Sequence, residues 1–463
     1  MATQVTARDS SEEEKRLISE IEKKHGKSVP QLREEREKRV EDAIQLRVPD
    51  RVPVTVATGI FAAHYAGLPA SAVYYDHAAY RAACKKLLLD IEPDNGSMGG
   101  TSGLAMEILG TKQYKWPGGT LPADGTYQFV EGEYMKPEEY DLFLSDPADF
   151  ILRYYLPRTY TSLEPLAKLP KFSHLLTEKE LGAVIGMLFR PEFRMLVAVL
   201  TRLDLPEFKG VLETIDKATQ EAQRVGRESA AFGAEMARLG FPGGGGGGAP
   251  IGGSSSGASF APFDTISDRL RGMRGTMLDM YRRPEKLLTA CQKLLEWEMA
   301  AAGPAKPDAR GNPPRSGMPL HRGSDGFMSI KDFEKFYWPT LKKVIQMKID
   351  LGYIVTPFWE GIWDDRLEYL LDFPKGKVVF HCEKTDVFKA KEILGDRMCI
   401  QGGVPPTILQ AGSVQDVEEH CKKLIKVAGK GGGFVMTAGS NIDYAKPANV
   451  RAMVDSAKKY GWY

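Results

Sequence analysis

Two consecutive apolar runs indicate the fold of this chain: Tyr353-Ile354-Val355-Thr356-Pro357-Phe358-Trp359-Glu360 and Lys377-Val378-Val379-Phe380-His381-Cys382-Glu383. Each run has the composition of a β-strand and ends on side chains that can transfer a proton or bind a metal. In a parallel barrel, the C-terminal ends of neighbouring strands meet at one mouth. We therefore expect Glu360, His381 and Glu383 to form a polar site there. The alternative is a buried polar network that only holds loops together.

The same alternation of strand and helix continues to the end of the sequence. Strands are predicted at 52–58, 318–321, 353–357, 377–381, 398–401 and 433–437, and helices at 329–352, 363–373, 385–394, 413–429 and 446–460. Such alternation predicts parallel strands joined by crossover helices. The predicted fold class is α/β, a (β/α)8 TIM barrel with loop insertions. A helical extension over 1–48 precedes the barrel, which occupies 49–463.

Two insertions interrupt this pattern before the regular part of the barrel. Residues 114–134 are rich in glycine, proline and aromatic residues and predict a hairpin. Gly243–Gly248 is a run of six glycines. We interpret it as a loop beside a pocket, because an aromatic and acidic segment, 260–268, follows closely. A flexible linker is the alternative.

Composition excludes several classes of function. The formal net charge of +1 over 463 residues argues against a nucleic-acid surface. No apolar run approaches the roughly 18 residues that a membrane span needs. Five widely spaced cysteines without a CxxC pair make a disulfide framework improbable. The polar, acidic N-terminal segment is unlike a signal peptide, so we expect a cytoplasmic protein.

Several short segments resemble the uroporphyrinogen decarboxylase superfamily. They are Arg47–Val54, Gln401–Pro405, Glu419–Ile425, Gly431–Val435 and Asn449–Met453. The resemblance is strong over 310–463 and clear at 36–56. It implies a (β/α)8 barrel with its site at the strand C-termini, and either a porphyrinogen decarboxylase or a cobalamin-linked methyltransferase.

The sequence departs from the decarboxylases of this superfamily at the first strand. After Val54 it reads Thr55-Val56-Ala57-Thr58-Gly59-Ile60, without the family's arginine-rich motif. Those arginines would pair with the carboxylates of a porphyrinogen. Their absence counts against that substrate.

Among the methyltransferases, the chain resembles the corrinoid-protein-dependent O-demethylase type most closely. That branch uses a Glu and a His with twenty residues between them, as Glu360 and His381 have here. Its second, upstream Glu is replaced by Ile345. The thiol-specific branch has His-x-Cys and a later Cys as zinc ligands, where this chain has Glu383 and Ser440.

The resemblance therefore implies a methyltransferase that moves a methyl group between a small, aromatic O-methyl compound and a corrinoid protein. Zn²⁺ would activate the leaving oxygen, with Glu360 and His381 as first ligands and Glu383 or Asp325 as the third. In a metal-free version Glu360 or His381 protonates the leaving group, and His321 is a further candidate general acid.

The substrate pocket is expected to be aromatic. Its predicted members are Trp359, Phe358, Tyr75, Phe263 and Arg271, with core packing as the alternative for each ring. Arg269 and Arg271 are candidates to bind a carboxylate, or only to cap the helix surface.

The corrinoid is expected on a partner protein, because the chain has no Asp-x-His-x-x-Gly motif to supply a lower cobalt ligand. The other expected partners are the small methyl donor or acceptor and a second copy in a homodimer, with no nucleic acid or membrane. The alternative function is a uroporphyrinogen-decarboxylase-like lyase acting on a smaller carboxylic acid.

Overall fold

Nine strands organise the structure, a computed structural model that describes residues 7–57, 59–97, 101–171, 191, 194–195, 206–242 and 259–463. They are β1 (Thr55–Ala57), β2 (Asn95–Ser97), β3 (Tyr114–Lys115), β4 (Gln128–Phe129), β5 (Arg315–Leu320), β6 (Ile354–Trp359), β7 (Val379–Cys382), β8 (Cys399–Val404) and β9 (Phe434–Ala438). Strands β5 to β9 pair in chain order, all parallel. The strands predicted near 318, 353, 377, 398 and 433 are therefore confirmed.

The parallel arrangement extends beyond this sheet. Strand β1 pairs with β2 in parallel. It also meets β9, because Val54 bridges Met436 and the Met436 N–H donates to the Pro53 carbonyl at 2.9 Å. Seven of the nine described strands thus form a parallel series in the order β2–β1–β9–β8–β7–β6–β5. The α/β class is confirmed, and closure into an eight-stranded barrel stays a prediction.

Helices follow most of these strands, as crossover connections require. The α-helices span Ala7–His25, Val29–Ile44, Phe61–Tyr65, Ala72–Tyr75, His77–Ile91, Gly103–Leu109, Tyr140–Ser145, Pro147–Phe150, Leu156–Thr159, Pro206–Arg238, Pro262–Thr265, Gly272–Arg282, Pro284–Ala301, Ile330–Asp332, Trp338–Asp350, Val387–Leu394, Pro406–Ala411, Val414–Val427 and Pro447–Tyr460. Wider π turns span Ile151–Tyr155, Ile266–Leu270 and Phe333–Tyr337, and 3-10 turns span Pro137–Glu139, Thr161–Lys168 and Leu367–Asp372. The helix predicted at 363–373 is thus only a 3-10 turn.

The N-terminal extension covers the end of the sheet opposite the predicted mouth. Its second helix begins after Ser28, whose side chain and Gln31 form a capping box, with Pro30 in the first turn. Val40, Ala43 and Ile44 of that helix pack in one cluster with the early residues of β6 to β9. Because the N-terminal strand ends are sealed in this way, the polar site is left to the C-terminal ends.

The predicted hairpin is confirmed, since β3 and β4 pair antiparallel. The glycine-rich segment 243–257 lies outside the described residues. No helix in the described part of the chain is long and apolar enough to cross a membrane.

Candidate functional site

The C-terminal ends of β5 and β6 bring the first two functional side chains together. Leu320 and Trp359 are the last paired residues of these strands, and His321 and Glu360 follow them directly. The Nε2 atom of His321 lies 3.6 Å from Oε2 of Glu360. An imidazole and a carboxyl group therefore face each other at this edge, as the sequence predicts for strand ends.

A π turn adds a third group to this pair. Asp268, in Ile266–Leu270, has its Oδ2 atom 2.5 Å from Nδ1 of His321. Its Oδ1 atom accepts hydrogen bonds from Arg322 Nε at 3.1 Å and a terminal guanidinium nitrogen at 2.9 Å. A carboxylate on one ring nitrogen fixes the orientation of the ring and leaves the other nitrogen for chemistry. We call Asp268, His321 and Glu360 the acid–imidazole relay.

Asp264 holds the loop that carries the relay. Its buried carboxylate accepts hydrogen bonds from the backbone N–H groups of His321 at 2.9 Å and Arg322 at 3.1 Å, and from the Tyr337 hydroxyl at 2.8 Å. Burial and the charge of Asp268 raise the pKa of Asp264 to about 6. The N–H groups of His321 and Arg322 directly follow β5, so their hydrogen bonds to Asp264 fix the backbone that carries the His321 ring.

The surroundings of the relay raise the pKa values of both His321 and Glu360. Burial lowers the pKa of His321, but the hydrogen bond and charge of Asp268, with the charges of Asp264 and Glu360, outweigh burial and raise it. Burial raises the pKa of Glu360, and Glu383 adds to this rise, whereas His321 opposes it. Both shifts extend the pH range in which a proton is held between the two strand ends.

His381 has a different environment from the relay. It lies in β7 opposite Phe358, with the two ring centroids 5.0 Å apart. Burial lowers the pKa of His381 to about 4, so the ring is neutral at pH 7. Its Nε2 atom is buried and has no hydrogen-bond partner among the described residues. Since buried polar atoms are nearly always paired in native proteins, this nitrogen is a candidate contact for a bound ligand.

The predicted zinc ligands do not gather into one group. Asp325 pairs with the buried Arg366 and also accepts a hydrogen bond from the Asp365 N–H at 3.1 Å. Glu383 accepts from the Gly361 N–H at 2.7 Å. Across the described ranges, no three His, Cys, Asp or Glu side chains form a group that could hold a metal ion. The four predicted ligands, which are Glu360, His381, Glu383 and Asp325, therefore do not form a preassembled metal site among the described residues.

Three of the predicted substrate-binding residues lie in the protein interior. Trp359 is fully buried, with its ring 5.4 Å from Phe380 and 4.8 Å from Trp363. Phe263 is also fully buried. Arg271 is buried and paired with Asp279. No exposed surface remains on these side chains for a substrate, so we reassign them to the core.

The other two predicted substrate-binding residues, Phe358 and Tyr75, are partly exposed to solvent. Phe358 is half-buried beside the ring of His381. Tyr75 is half-buried too, and its hydroxyl donates to Glu107 at 2.5 Å.

The hairpin supplies an aromatic surface that the sequence did not assign to the site. Tyr114 lies 5.4 Å from Trp116 and 6.5 Å from Tyr127 between ring centroids, and Trp116 lies 5.7 Å from Tyr127. Burial raises the pKa of Tyr127, and the negative charges of Asp443 and Glu360 raise it further. Within the cluster of Tyr114, Trp116 and Tyr127, Tyr127 is therefore the ring on which the charge of Glu360 acts. The aromatic content of 114–134 was the only sequence signal for it.

Comparison with known proteins gives a family match for the C-terminal part of the chain. Residues 254–460 match the model of the family "Uroporphyrinogen decarboxylase (URO-D)". This range contains β5 to β9 and the whole acid–imidazole relay. The predicted superfamily is confirmed for this part of the chain.

Individual relatives are similar over shorter stretches or at low identity. A uroporphyrinogen decarboxylase from Chlorobium phaeovibrioides is 35% identical over 78 residues, which make up 16% of this chain and only 22% of the relative. A methyltransferase from Methanosarcina mazei has a structure that is similar with a TM-score of 0.48, at 16% identity over 91% of this chain and 98% of the other.

Proposed function

We propose that this chain is a methyltransferase that moves a methyl group from a small aromatic O-methyl compound to a corrinoid carried by a partner protein. The observation that carries the proposal is the acid–imidazole relay at the strand ends. A methyl ether is unreactive because its leaving alkoxide is poor, so the oxygen must take up a proton as the methyl group leaves. The relay can deliver that proton from Glu360.

The proton and electron balance of the transfer is simple. The methyl–oxygen bond breaks, its electron pair stays on the oxygen, and Glu360 gives its proton to that oxygen, so that a neutral hydroxyl compound leaves. His321, oriented by Asp268, then restores the proton to Glu360. The reduced corrinoid of the partner supplies the electron pair that accepts the methyl group.

The remaining side chains of the site suit a planar substrate. The rings of Tyr114 and Tyr127 provide an aromatic face, and the buried ring of Trp116 packs against both. His381 is neutral and has a free Nε2, so it can form one hydrogen bond to a substrate oxygen without bringing a charge. Aromatic side chains combined with a few polar groups that fix orientation are typical of small-molecule sites.

Exposed apolar side chains on the same loops support a partner that covers the site. Tyr127 is 44% exposed, Ile362, two residues after Glu360, is 43% exposed, and Tyr444, after β9, is 48% exposed. Tyr444 also donates to the Asp124 carbonyl of the hairpin at 3.1 Å, which joins two of these loops. A docked partner would shield these side chains and exclude water from the transfer.

Decarboxylation of a smaller carboxylic acid is the second candidate. The 78-residue similarity to a uroporphyrinogen decarboxylase favours it. A proton donor such as Glu360 would also serve that reaction, because a proton replaces the carbon dioxide on the carbon. Zinc stays a prediction, which metal analysis of the purified chain would test.

Methyl transfer to added reduced cobalamin tests the proposal. The substrate is para-methoxybenzoate with an isotopic label in the methyl group, and the readout is the label found on the cobalamin. We expect transfer with the wild-type chain and a loss of about 10²-fold or more in Glu360→Gln. Glu392→Gln, an exposed change on Val387–Leu394, is the matched control. Equal transfer by Glu360→Gln and wild type would contradict the assigned role of Glu360.

A further inference from the structure

The two faces of the sheet β5 to β9 are packed differently. On the outer face, side chains such as Phe380 and Ile400 are fully buried in the large core that the helices share. On the inner face, three residues near the strand starts pack against the second N-terminal helix, and we call them the floor: Ile354, Val379 and Cys399. The inner face is therefore closed at its lower end, and a ligand can enter it only from the mouth.

The layer of side chains above the floor is polar and only partly buried. His381 and Gln401 each follow a member of the floor by two residues, so they lie on the same face about 7 Å closer to the mouth. They are in register in the paired strands β7 and β8, and Phe358 is in register with His381 on its other side. All three are half-buried. Because bulky apolar side chains ordinarily fill the interior of such a sheet, this layer leaves unusual space below the mouth.

The carboxamide of Gln401 has no partner in this layer. Its side chain makes no hydrogen bond with any residue in the described part of the chain, since the Cys382 thiol donates to its backbone carbonyl, at 3.5 Å. Nε2 of His381 is also unpaired among the described residues. Adjacent strands lie about 4.8 Å apart, so one small polar group can contact both side chains. Two such open groups side by side indicate a position for a hydrogen-bonding ligand.

The described part of this layer carries no charge. The residues in register across β5 to β9 are Pro319, Phe358, His381, Gln401 and Val435. His381 is neutral at pH 7. The nearest ionisable groups along the same strands are the carboxyl groups of Glu360 and Glu383, two residues further towards the mouth. A carboxylate in this layer would thus lose its hydration without gaining a cation, whereas an uncharged polar group would not.

We propose that Gln401 is a specificity-determining residue that binds an uncharged hydroxyl group of the substrate, one layer of side chains below the level of Glu360. A carboxamide can donate to the hydroxyl oxygen and accept the hydroxyl proton, and the neutral ring of His381 offers a second contact. The edge of the Phe358 ring bounds the position on the other side. This inference deepens the proposed function and rests on it only for the reacting group, because the hydroxyl subsite itself does not depend on the reaction.

A ligand-observed NMR titration of the full chain tests the subsite without turnover. The probes are phenol, toluene and benzoate, which share the ring and differ in the group attached to it. Gln401→Met keeps the length of the side chain but removes the amide, so the affinity for phenol relative to toluene should fall by about fivefold or more. Gln401→Leu should have the same effect. The affinity for benzoate should stay unchanged in both variants, because its carboxylate does not enter this layer.

The control is Gln410→Met, an exposed change in Pro406–Ala411, which should bind all three probes like wild type. An unchanged phenol-to-toluene ratio in the Gln401 variants would overturn the inference, as would the absence of phenol binding to wild type. Equal losses of phenol and toluene would show a packing role, and a loss of benzoate as large as that of phenol would show a subsite without charge selection. Either result contradicts the proposal. If the ratio falls as expected but no methyl group is transferred, only the proposed function fails.

Discussion

The Nδ1 atom of His321 lies 2.5 Å from Oδ2 of Asp268. This contact commits one ring nitrogen to a carboxylate that the backbone fixes in a π turn. The other nitrogen is left 3.6 Å from Glu360. The pair therefore determines both the orientation of the imidazole and the group with which it exchanges a proton.

Asp268→Asn should lower activity by about 10²-fold or more, because the ring loses its orientation and its proton affinity. Asp268 raises the pKa of His321, so the pH at which activity depends on His321 should fall in the variant. A pH–rate profile of both proteins measures this. An unshifted profile with reduced activity would mean that Asp268 acts only on the fold.

The same contact predicts a stability effect with a definite sign. The folded-state pKa of His321 lies above its ordinary value of 6.5, so protonation of His321 stabilises the folded chain at lower pH. This contribution is fully present below pH 6.5 and disappears as the pH rises through the raised value. The stability difference between wild type and Asp268→Asn in urea should therefore be larger at pH 6 than at pH 9. A difference that grows with pH would contradict this assignment.

His381 should respond to pH in the opposite way. Its pKa of about 4 in the folded chain lies below the ordinary value of 6.5, so the unfolded chain binds the proton first. As the pH falls from 6.5 to 4, the unfolding equilibrium constant should rise by up to about tenfold per pH unit from this group alone. His381→Gln, which cannot titrate, should show a smaller loss of stability over that range. Parallel curves for the two proteins would show that His381 is not held neutral.

Asp325 is expected to act on stability and not as a metal ligand. Its partner Arg366 is 1% exposed, and Arg366 also donates to the Met328 carbonyl at 2.6 Å. Removal of one member of a buried ion pair leaves an uncompensated charge and costs about 3–5 kcal/mol. Asp325→Ala should lose that amount in a denaturant titration. Asp332→Ala, at an exposed helix start, is the control and should lose only about 1 kcal/mol with its N-terminal contacts.

Sequence patterns predicted β6 and β7 well because each is a mainly apolar run with a polar side chain at or just after its end. The strand-end position made His321 and Glu360 candidates, and the family resemblance also pointed to Glu360. Asp268 was not predicted, since its role depends on a π turn and on a contact with a residue 53 positions away in the chain. No local pattern reports such a contact.

Residue type alone also misassigned the aromatic pocket. Trp359 and Phe263 are fully buried, whereas Tyr127 of the hairpin is 44% exposed. A strand alternates its side chains between two faces, and which face meets the core depends on the packed sheet. Arg269 and Arg271 lie two residues apart, in a π turn and directly after it. Arg271 is paired with Asp279, whereas Arg269 makes no ion pair with a described residue.

The most direct test of the central claim follows both labels of one substrate. Para-methoxybenzoate carrying distinguishable isotopes in its methyl and carboxyl carbons is incubated with the chain and excess reduced cobalamin. The account predicts that the methyl label appears on the cobalamin, that para-hydroxybenzoate keeps the carboxyl label, and that Glu360→Gln suppresses both. Release of the carboxyl label as carbon dioxide, with the methyl ether intact, would contradict it.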